Sequence, residues 1–395
     1  MHISSIYSII SKIILRRYAR VEAYLDNSAT TKPCEGAKKR LNEALDSLWG
    51  NPSSLHQKGL EAELLLEEAR AAVSKVISCE KSELYFTSGG TESNNIAVFG
   101  AAHAMRKRGK RVVVSSVEHP SVSKAFDALE NEGFEVVRLP VDRFGLVSYE
   151  SLLEAIDEKT VLVSMMAVNN ELGTIEPVEK LFQAVKAKNS PALIHVDAVQ
   201  AFGKIPLNVK KLKIDLMSVS AHKIHGVKGA GALFVRRGVH LAPHVFGGGQ
   251  EKDIRPGTEP LPAIAAFCGA VEELCTAQSL KNLTELRDGF VSALSSLDGV
   301  VINSPENALP YIINISLPHL PSEAVLNFLS SKDVYVSSGS ACAKGHQSPV
   351  LTAAGLEKER VDSSLRISLS RFTTKEELEK CFDAISEALA VIRRK

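Results

Sequence analysis

Two places in this 395-residue chain gather residue types that can do covalent chemistry. The first is a pair of apolar runs that end in polar side chains. One is His195-Val196-Asp197-Ala198-Val199-Gln200 and the other is Ser218-Val219-Ser220-Ala221-His222-Lys223. Both read as buried strands. In a parallel sheet ligands bind outside the carboxyl ends of the strands, so Asp197 and Lys223 are delivered toward a common site. A primary amine paired with an acid at such a place is what pyridoxal phosphate requires: the lysine for a Schiff base, the carboxylate for the ring nitrogen. Taken alone, such a pair more often describes two surface charges.

A phosphate-binding feature favours the cofactor reading. Thr87-Ser88-Gly89-Gly90-Thr91-Glu92-Ser93 follows a strand and opens a helix, offering free backbone N–H groups, hydroxyls and the positive end of a helix dipole. Gly226, Gly229 and Gly231, after the lysine, read as turn residues without a phosphate role. The second place is Ser337-Ser338-Gly339-Ser340-Ala341-Cys342-Ala343-Lys344-Gly345. Small residues surround Cys342, and the Lys344 cation favours its thiolate. Its alternative is a small buried cysteine in a tight turn. His346 alone beside Cys342 makes a poor metal site.

The elements that must position these groups follow from periodicity. Gly59 to Ile77 reads as an amphipathic helix. Leu84 to Thr87, Arg111 to Ser116, Phe134 to Leu139, Val161 to Val168, Ala192 to Asp197 and Ile214 to Ser220 read as strands separated by helical stretches. That alternation predicts an α/β fold with a mostly parallel sheet between helices. A Gly/Pro-rich junction around Gly247-Gly248-Gly249 and Pro256 leads to a smaller α+β domain. There a long helical stretch, strands at Tyr311 to Leu317 and Val334 to Ser337, and a closing helix from Lys375 to Arg394 are expected. The predicted organisation is an N-terminal extension over 1–23, a large domain over 24–258 whose first residues pack on the small domain, and a small domain over 259–395.

Composition sets the outer limits. With 45% hydrophobic residues, 24% charged residues and a net charge of +1, nothing calls for nucleic acid or for disorder. The six cysteines, Cys34, Cys79, Cys268, Cys275, Cys342 and Cys381, form no C-x-x-C pair, which points to a reducing compartment and away from disulfides or structural zinc. The first residues carry Lys12, Arg16, Arg17 and Arg20 among isoleucines. They resemble an organellar presequence or an interfacial helix, and otherwise read as a plain extension of a cytoplasmic protein. Their apolar runs are too short to span a bilayer.

Further blocks stand in a fixed order: Tyr24-Leu25-Asp26-Asn27-Ser28-Ala29-Thr30-Thr31, Gly50-Asn51-Pro52-Ser53-Ser54, Val117-Glu118-His119, Val168-Asn169-Asn170-Glu171, Gly247-Gly248-Gly249-Gln250-Glu251 and Arg371-Phe372-Thr373-Thr374. With the motifs above, the chain resembles the cysteine desulfurases, fold-type I pyridoxal-phosphate enzymes of the aminotransferase class V group. The resemblance implies that Lys223 binds the cofactor covalently and that Asp197 pairs with its ring nitrogen. By the same likeness His119 stacks on the ring and moves protons, and Gln200 reaches the ring oxygen. Gly90, Thr91, Ser220 and His222 hold the phosphate, with Thr258 supplied by the partner subunit of a homodimer. Asn170, also near the cofactor, and Arg366 orient the substrate carboxylate.

The implied reaction converts L-cysteine to L-alanine and leaves the sulfur as a persulfide on Cys342, for an acceptor serving iron–sulfur cluster, thiolated tRNA or thiamine synthesis. The pattern departs from the family at Pro256, where a serine is expected, at Val227, where a proline is expected, and in a slightly short segment from Cys342 to Leu351. Two alternatives stand beside this reading: a selenocysteine lyase, and a catalytically silent scaffold of the same fold.

Overall fold

The computed structural model describes residues 22–274, 277–338 and 347–392. Its strands in chain order are β1 (Ala23–Tyr24), β2 (Leu84–Thr87), β3 (Arg111–Ser115), β4 (Glu135–Leu139), β5 (Thr160–Met166), β6 (Leu193–Asp197), β7 (Leu216–Ser220), β8 (Gly231–Val235), β9 (Val301–Ile302), β10 (Ile312–Ser316), β11 (Val334–Tyr335) and β12 (Ser364–Ser368). Seven of them form one sheet in the order β2-β8-β7-β6-β5-β3-β4. Only β8 runs against its neighbours; the other adjacent pairs are parallel.

Alternate residues of these strands feed two different cores, as a strand's period of two demands. Val113, Val163, Ile194, Val196 and Val219 face one. Val112, Val114, Leu162, Leu216 and Leu233 face the other, under helices Gly90–Met105 and Pro120–Asn131. Burial on both faces explains why β5 and β7 read as nearly continuous apolar runs. Each crossover returns the chain so that β5, β6 and β7 end on the same edge, and that edge carries the chemistry.

The sequence runs match β2 to β7, β10 and β11 to within one or two residues, whereas β1, β8, β9 and β12 answer to no predicted run. Gly231 is not a turn residue but the first residue of β8. A Cβ there would lie 2.6 Å from Gly89 Cα and 2.7 Å from Val219 O, so its bare backbone lets the Gly89 turn pack against the sheet. The long helical stretch beyond Pro262 is two helices, Leu261–Glu272 and Ala277–Ser295.

β9, β10 and β12 make a separate antiparallel sheet. The chain's first described strand joins this region, since β1 pairs with β11 and Asp26 bridges to Ser368. The closing helix Lys375–Val391 starts with a reciprocal cap: Glu377 N–H donates to Thr374 Oγ1 at 3.3 Å and Thr374 N–H to Glu377 Oε2 at 2.7 Å. Among the described residues no helix is long and apolar enough to cross a membrane.

Candidate active site

At the carboxyl edge of β5, β6 and β7 lies a cavity of about 300 Å³. Gly90, Thr91, His119, Asn170, Asp197, Gln200, Ser220, His222, Lys223 and Arg366 all line it, so residues spread over most of the sequence converge on one space. Thr258 is exposed and does not line this cavity. Cys342, with Lys344 and His346, lies outside the described residues.

Asp197 ends β6 and is 5% exposed. Its Oδ1 accepts from Val199 N–H at 2.9 Å and its Oδ2 from Asn94 Nδ2 at 2.8 Å. Lys223 follows β7, and its Nζ donates to the carbonyl oxygens of Ser28 at 2.5 Å and Ala29 at 2.9 Å. Gln200 Nε2 donates to the same Ser28 carbonyl at 3.0 Å, while Lys204 Nζ donates to Gln200 Oε1 at 3.2 Å. Ser28 and Ala29 thus form one wall, and His222 Nδ1 lies 3.1 Å from Thr30 Oγ1. Burial, aided by the Lys223 cation, pushes the His222 imidazole down to about 4.

The turn between β2 and helix Gly90–Met105 supplies an anion cradle. Gly89 has φ +151°, a conformation closed to residues with a side chain. A Cβ on it would lie 3.8 Å from Ser220 Oγ, so that hydroxyl faces the opening of the helix, where N–H groups have no intrahelical partner. Glu92, in the helix's first turn, is directed elsewhere. Its Oε2 accepts from Ser88 N–H at 2.5 Å and its Oε1 pairs with Arg255 at 3.3 Å.

His119 precedes helix Pro120–Asn131, and its Nδ1 accepts from Ser121 N–H at 3.1 Å. Burial lowers its imidazole from the ordinary value; the Asp197 carboxylate opposes that and the Lys223 cation adds to it. Beneath it, Glu118 accepts from Met166 N–H at 2.7 Å through Oε1. Burial and then Asp197 push this carboxyl well above the usual range, and its bond to Met166 ties the segment after β3 to the end of β5.

Arg366 is 2% exposed. Its Nη1 donates to Asn170 O at 3.0 Å and its Nη2 to Asp26 Oδ1 at 2.9 Å. The guanidinium is therefore already held by Asp26, a residue that the sequence motifs contained but gave no role. Asn94 and Ser121 are cavity residues of the same kind. Nothing in their local pattern distinguishes them from polar helix residues.

The cavity suits pyridoxal phosphate on its own evidence. Ser220 Oγ, Asn170 Oδ1 and Arg366 Nε are buried without a hydrogen-bond partner, a costly state that a polar ligand relieves. The donors at the helix start and Ser220 suit a phosphate, Lys223 an aldehyde, and Asp197 a ring nitrogen.

The segment bearing Cys342 is flanked by described residues that touch this site. Ser337 exchanges backbone hydrogen bonds with Arg366, Ser337 N–H to Arg366 O at 3.1 Å and Arg366 N–H to Ser337 O at 2.6 Å. Ser348 Oγ donates to Glu171 Oε2 at 2.5 Å, next to Asn170. Burial pushes up the thiols of Cys34, Cys79, Cys268 and Cys381, the last three to about 12. None of those four is a ready nucleophile.

Comparison with known proteins completes the picture. Residues 23–381 match the family model described as aminotransferase class-V. A protein of Methanosarcina thermophila named cysteine desulfurase IscS is 39% identical over 376 residues, covering 94% of this chain and 92% of that relative. Another so named, from Dictyoglomus turgidum, is 40% identical over 378 residues, covering 94% and 95%. A solved structure titled NifS-like protein superposes with a TM-score of 0.89 at 38% identity, covering 94% of this chain and all of that one.

Proposed function

The chain belongs to the class-V aminotransferase family and, within it, to the cysteine desulfurases, and from that premise we propose that it converts L-cysteine to L-alanine and carries the sulfur away as a persulfide on Cys342. The observation that carries this reading is the meeting of Lys223, Asp197, His119, Asn170 and Arg366 around one cavity. Pyridoxal phosphate, when bound, supplies an aldehyde for an amine and a ring that takes up carbanion charge.

The chain's own residues do the rest. Gly90, Thr91, Ser220 and His222 hold the phosphate, Lys223 supplies the amine, Asp197 pairs with the ring nitrogen, and Gln200 reaches the ring oxygen. Arg366 and Asn170 grip the substrate carboxylate, for which the buried, unpartnered Arg366 Nε is a waiting donor. His119 stacks over the ring and moves a proton. The Cys342 thiolate takes the substrate's sulfur, so that one S–S bond forms as one C–S bond breaks. The two sulfurs are oxidised as the substrate's carbon is reduced to a methyl group, and no outside oxidant is needed. Cys342 lies five residues from Ser337, a reach of about 17 Å of extended chain.

The acceptor is a protein serving iron–sulfur cluster, thiolated tRNA or thiamine synthesis. The protein acts as a homodimer. Trp49, Leu55, Leu60, Leu64 and Phe246 are large apolar residues left 47–105% exposed, as an unfilled subunit interface would leave them, and the exposed Thr258 then serves the partner's cavity. Among the described residues Cys34, Cys79, Cys268 and Cys381 are unpaired, which supports a reducing compartment such as the cytoplasm.

The test is Cys342→Ala. The variant keeps the yellow colour of bound cofactor and binds cysteine, but forms no protein-bound persulfide. Persulfide persisting on another cysteine overturns the assignment. Failure of the wild-type protein to make alanine from cysteine overturns the function.

A further inference from the structure

Asn94 has no role in the reading above, yet it sits where two of the key residues meet. It is 1% exposed, in helix Gly90–Met105 just past the anion cradle. Its Nδ2 lies 2.8 Å from Asp197 Oδ2 and 2.8 Å from Ser121 Oγ. A carboxylate oxygen only accepts, so the amide nitrogen must face Asp197; the flipped amide would set oxygen against oxygen. Both hydrogens on Nδ2 are thereby committed, one to Asp197 and one to the Ser121 hydroxyl oxygen. That oxygen lies 2.8 Å from His119 Nδ1. Having received the amide hydrogen, Ser121 directs its own hydrogen to His119. The Ser121 backbone N–H points at the same ring nitrogen from 3.1 Å. A ring nitrogen facing two donors carries no proton, so the neutral imidazole holds its proton on Nε2.

We propose that Asn94 is a positioning residue that links Asp197 through Ser121 to His119, and so makes His119 present Nε2–H to the cavity. The carboxylate expected at the ring nitrogen thereby sets which atom of the histidine above the ring carries the proton. In the resting protein His119 is a donor toward the cavity. It takes a proton from substrate only after giving up the one on Nε2. The inference rests on reading the cavity as the cofactor site, which cofactor uptake by the wild-type protein tests separately.

The experiment uses full-length protein labelled with ¹⁵N-histidine, with and without pyridoxal phosphate, and the His119→Gln variant to assign the resonance. Long-range nitrogen–proton correlations report which nitrogen is protonated. The expected result is a single Nε2–H form in the wild-type protein, present before cofactor is added. Asn94→Leu, close in shape but without donors, raises the Nδ1–H population. It also weakens pyridoxal phosphate binding about tenfold or more, the scale of a lost hydrogen bond to a charged group.

Ser121→Ala keeps the Asn94–Asp197 bond and the backbone N–H at His119 Nδ1 but removes the hydroxyl donor, so the Nδ1–H population rises in part while cofactor affinity stays near that of the wild type. That split is one a loss of fold would not produce. If Asn94→Leu fails to fold, the wild-type and Ser121→Ala spectra still decide. An Nδ1–H imidazole in the wild-type protein, or a tautomer unmoved by Ser121→Ala and Asn94→Leu, overturns the proposal. A wild-type protein that takes up no cofactor overturns the underlying site reading and leaves the tautomer result standing.

Discussion

Arg70 and Glu251 form the ion pair whose loss the structure predicts most directly. The Glu251 side chain is 1% exposed and that of Arg70 12%. Arg70 Nη1 and Nη2 donate to Glu251 Oε2 and Oε1, each at 2.8 Å, and Phe86 N–H donates to Oε2 at 2.9 Å. The pair anchors a segment in which Glu251, Lys252 and Asp253 have φ of 45°, 52° and 64°, a left-handed run costing roughly 1–2 kcal/mol per residue. Arg70→Met leaves a buried carboxylate with a single N–H donor, and breaking a buried pair in this way costs about 3–5 kcal/mol. Against typical stabilities of about 5–15 kcal/mol that is a large share.

Replacing both partners, Arg70→Met with Glu251→Leu, removes the stranded charge but orphans Phe86 N–H, at about 1–3 kcal/mol. The double variant is therefore expected to be the more stable of the two. Urea unfolding of each variant with linear extrapolation gives the comparison. A single variant costing under about 1 kcal/mol, or a double variant that merely adds the two single losses, refutes the reasoning. The same segment carries Arg255, which meets Glu92 at the phosphate turn, so Arg70→Met is also expected to retain less pyridoxal phosphate.

Two further outcomes follow from the buried polar groups. Glu176 is 2% exposed, and burial pushes its carboxyl up to about 8. Between the unfolded value near about 4.3 and that folded value the native state binds the extra proton, so stability falls as pH rises through this window, by up to about 5 kcal/mol. Glu176→Gln is expected to flatten this slope and to gain stability near pH 8, by calorimetry from about pH 5 to 9; an unchanged slope contradicts it. Ser220→Ala removes a buried, unpartnered hydroxyl from the anion cradle and is expected to weaken cofactor binding about tenfold or more in equilibrium dialysis. Unchanged binding would mean that Ser220 does not touch the phosphate.

Much of the site was legible because its chemistry is encoded locally. Asp197 and Lys223 stand at the ends of apolar runs whose length and burial pattern mark them as strands, and the Ser88-Gly89-Gly90-Thr91 turn announces itself by composition. Those signals, with the ordered blocks of the family, determined the fold class and the cofactor. Three features left no local signature. β8 runs antiparallel to both neighbours, and only the packing of Gly89 against Gly231 marks that glycine as a strand residue and not a turn. Asp26 holds Arg366 across 340 positions of sequence. Asn94 and Ser121 have the look of ordinary helix residues. Which polar atoms meet depends on how the crossovers superpose distant segments, and that geometry arises only when two hydrophobic cores close on the sheet. The sequence alone thus determined which residues bring the chemistry. Only the tertiary structure decided which hydrogen bonds set their proton positions, because those bonds join residues that periodicity and composition do not relate.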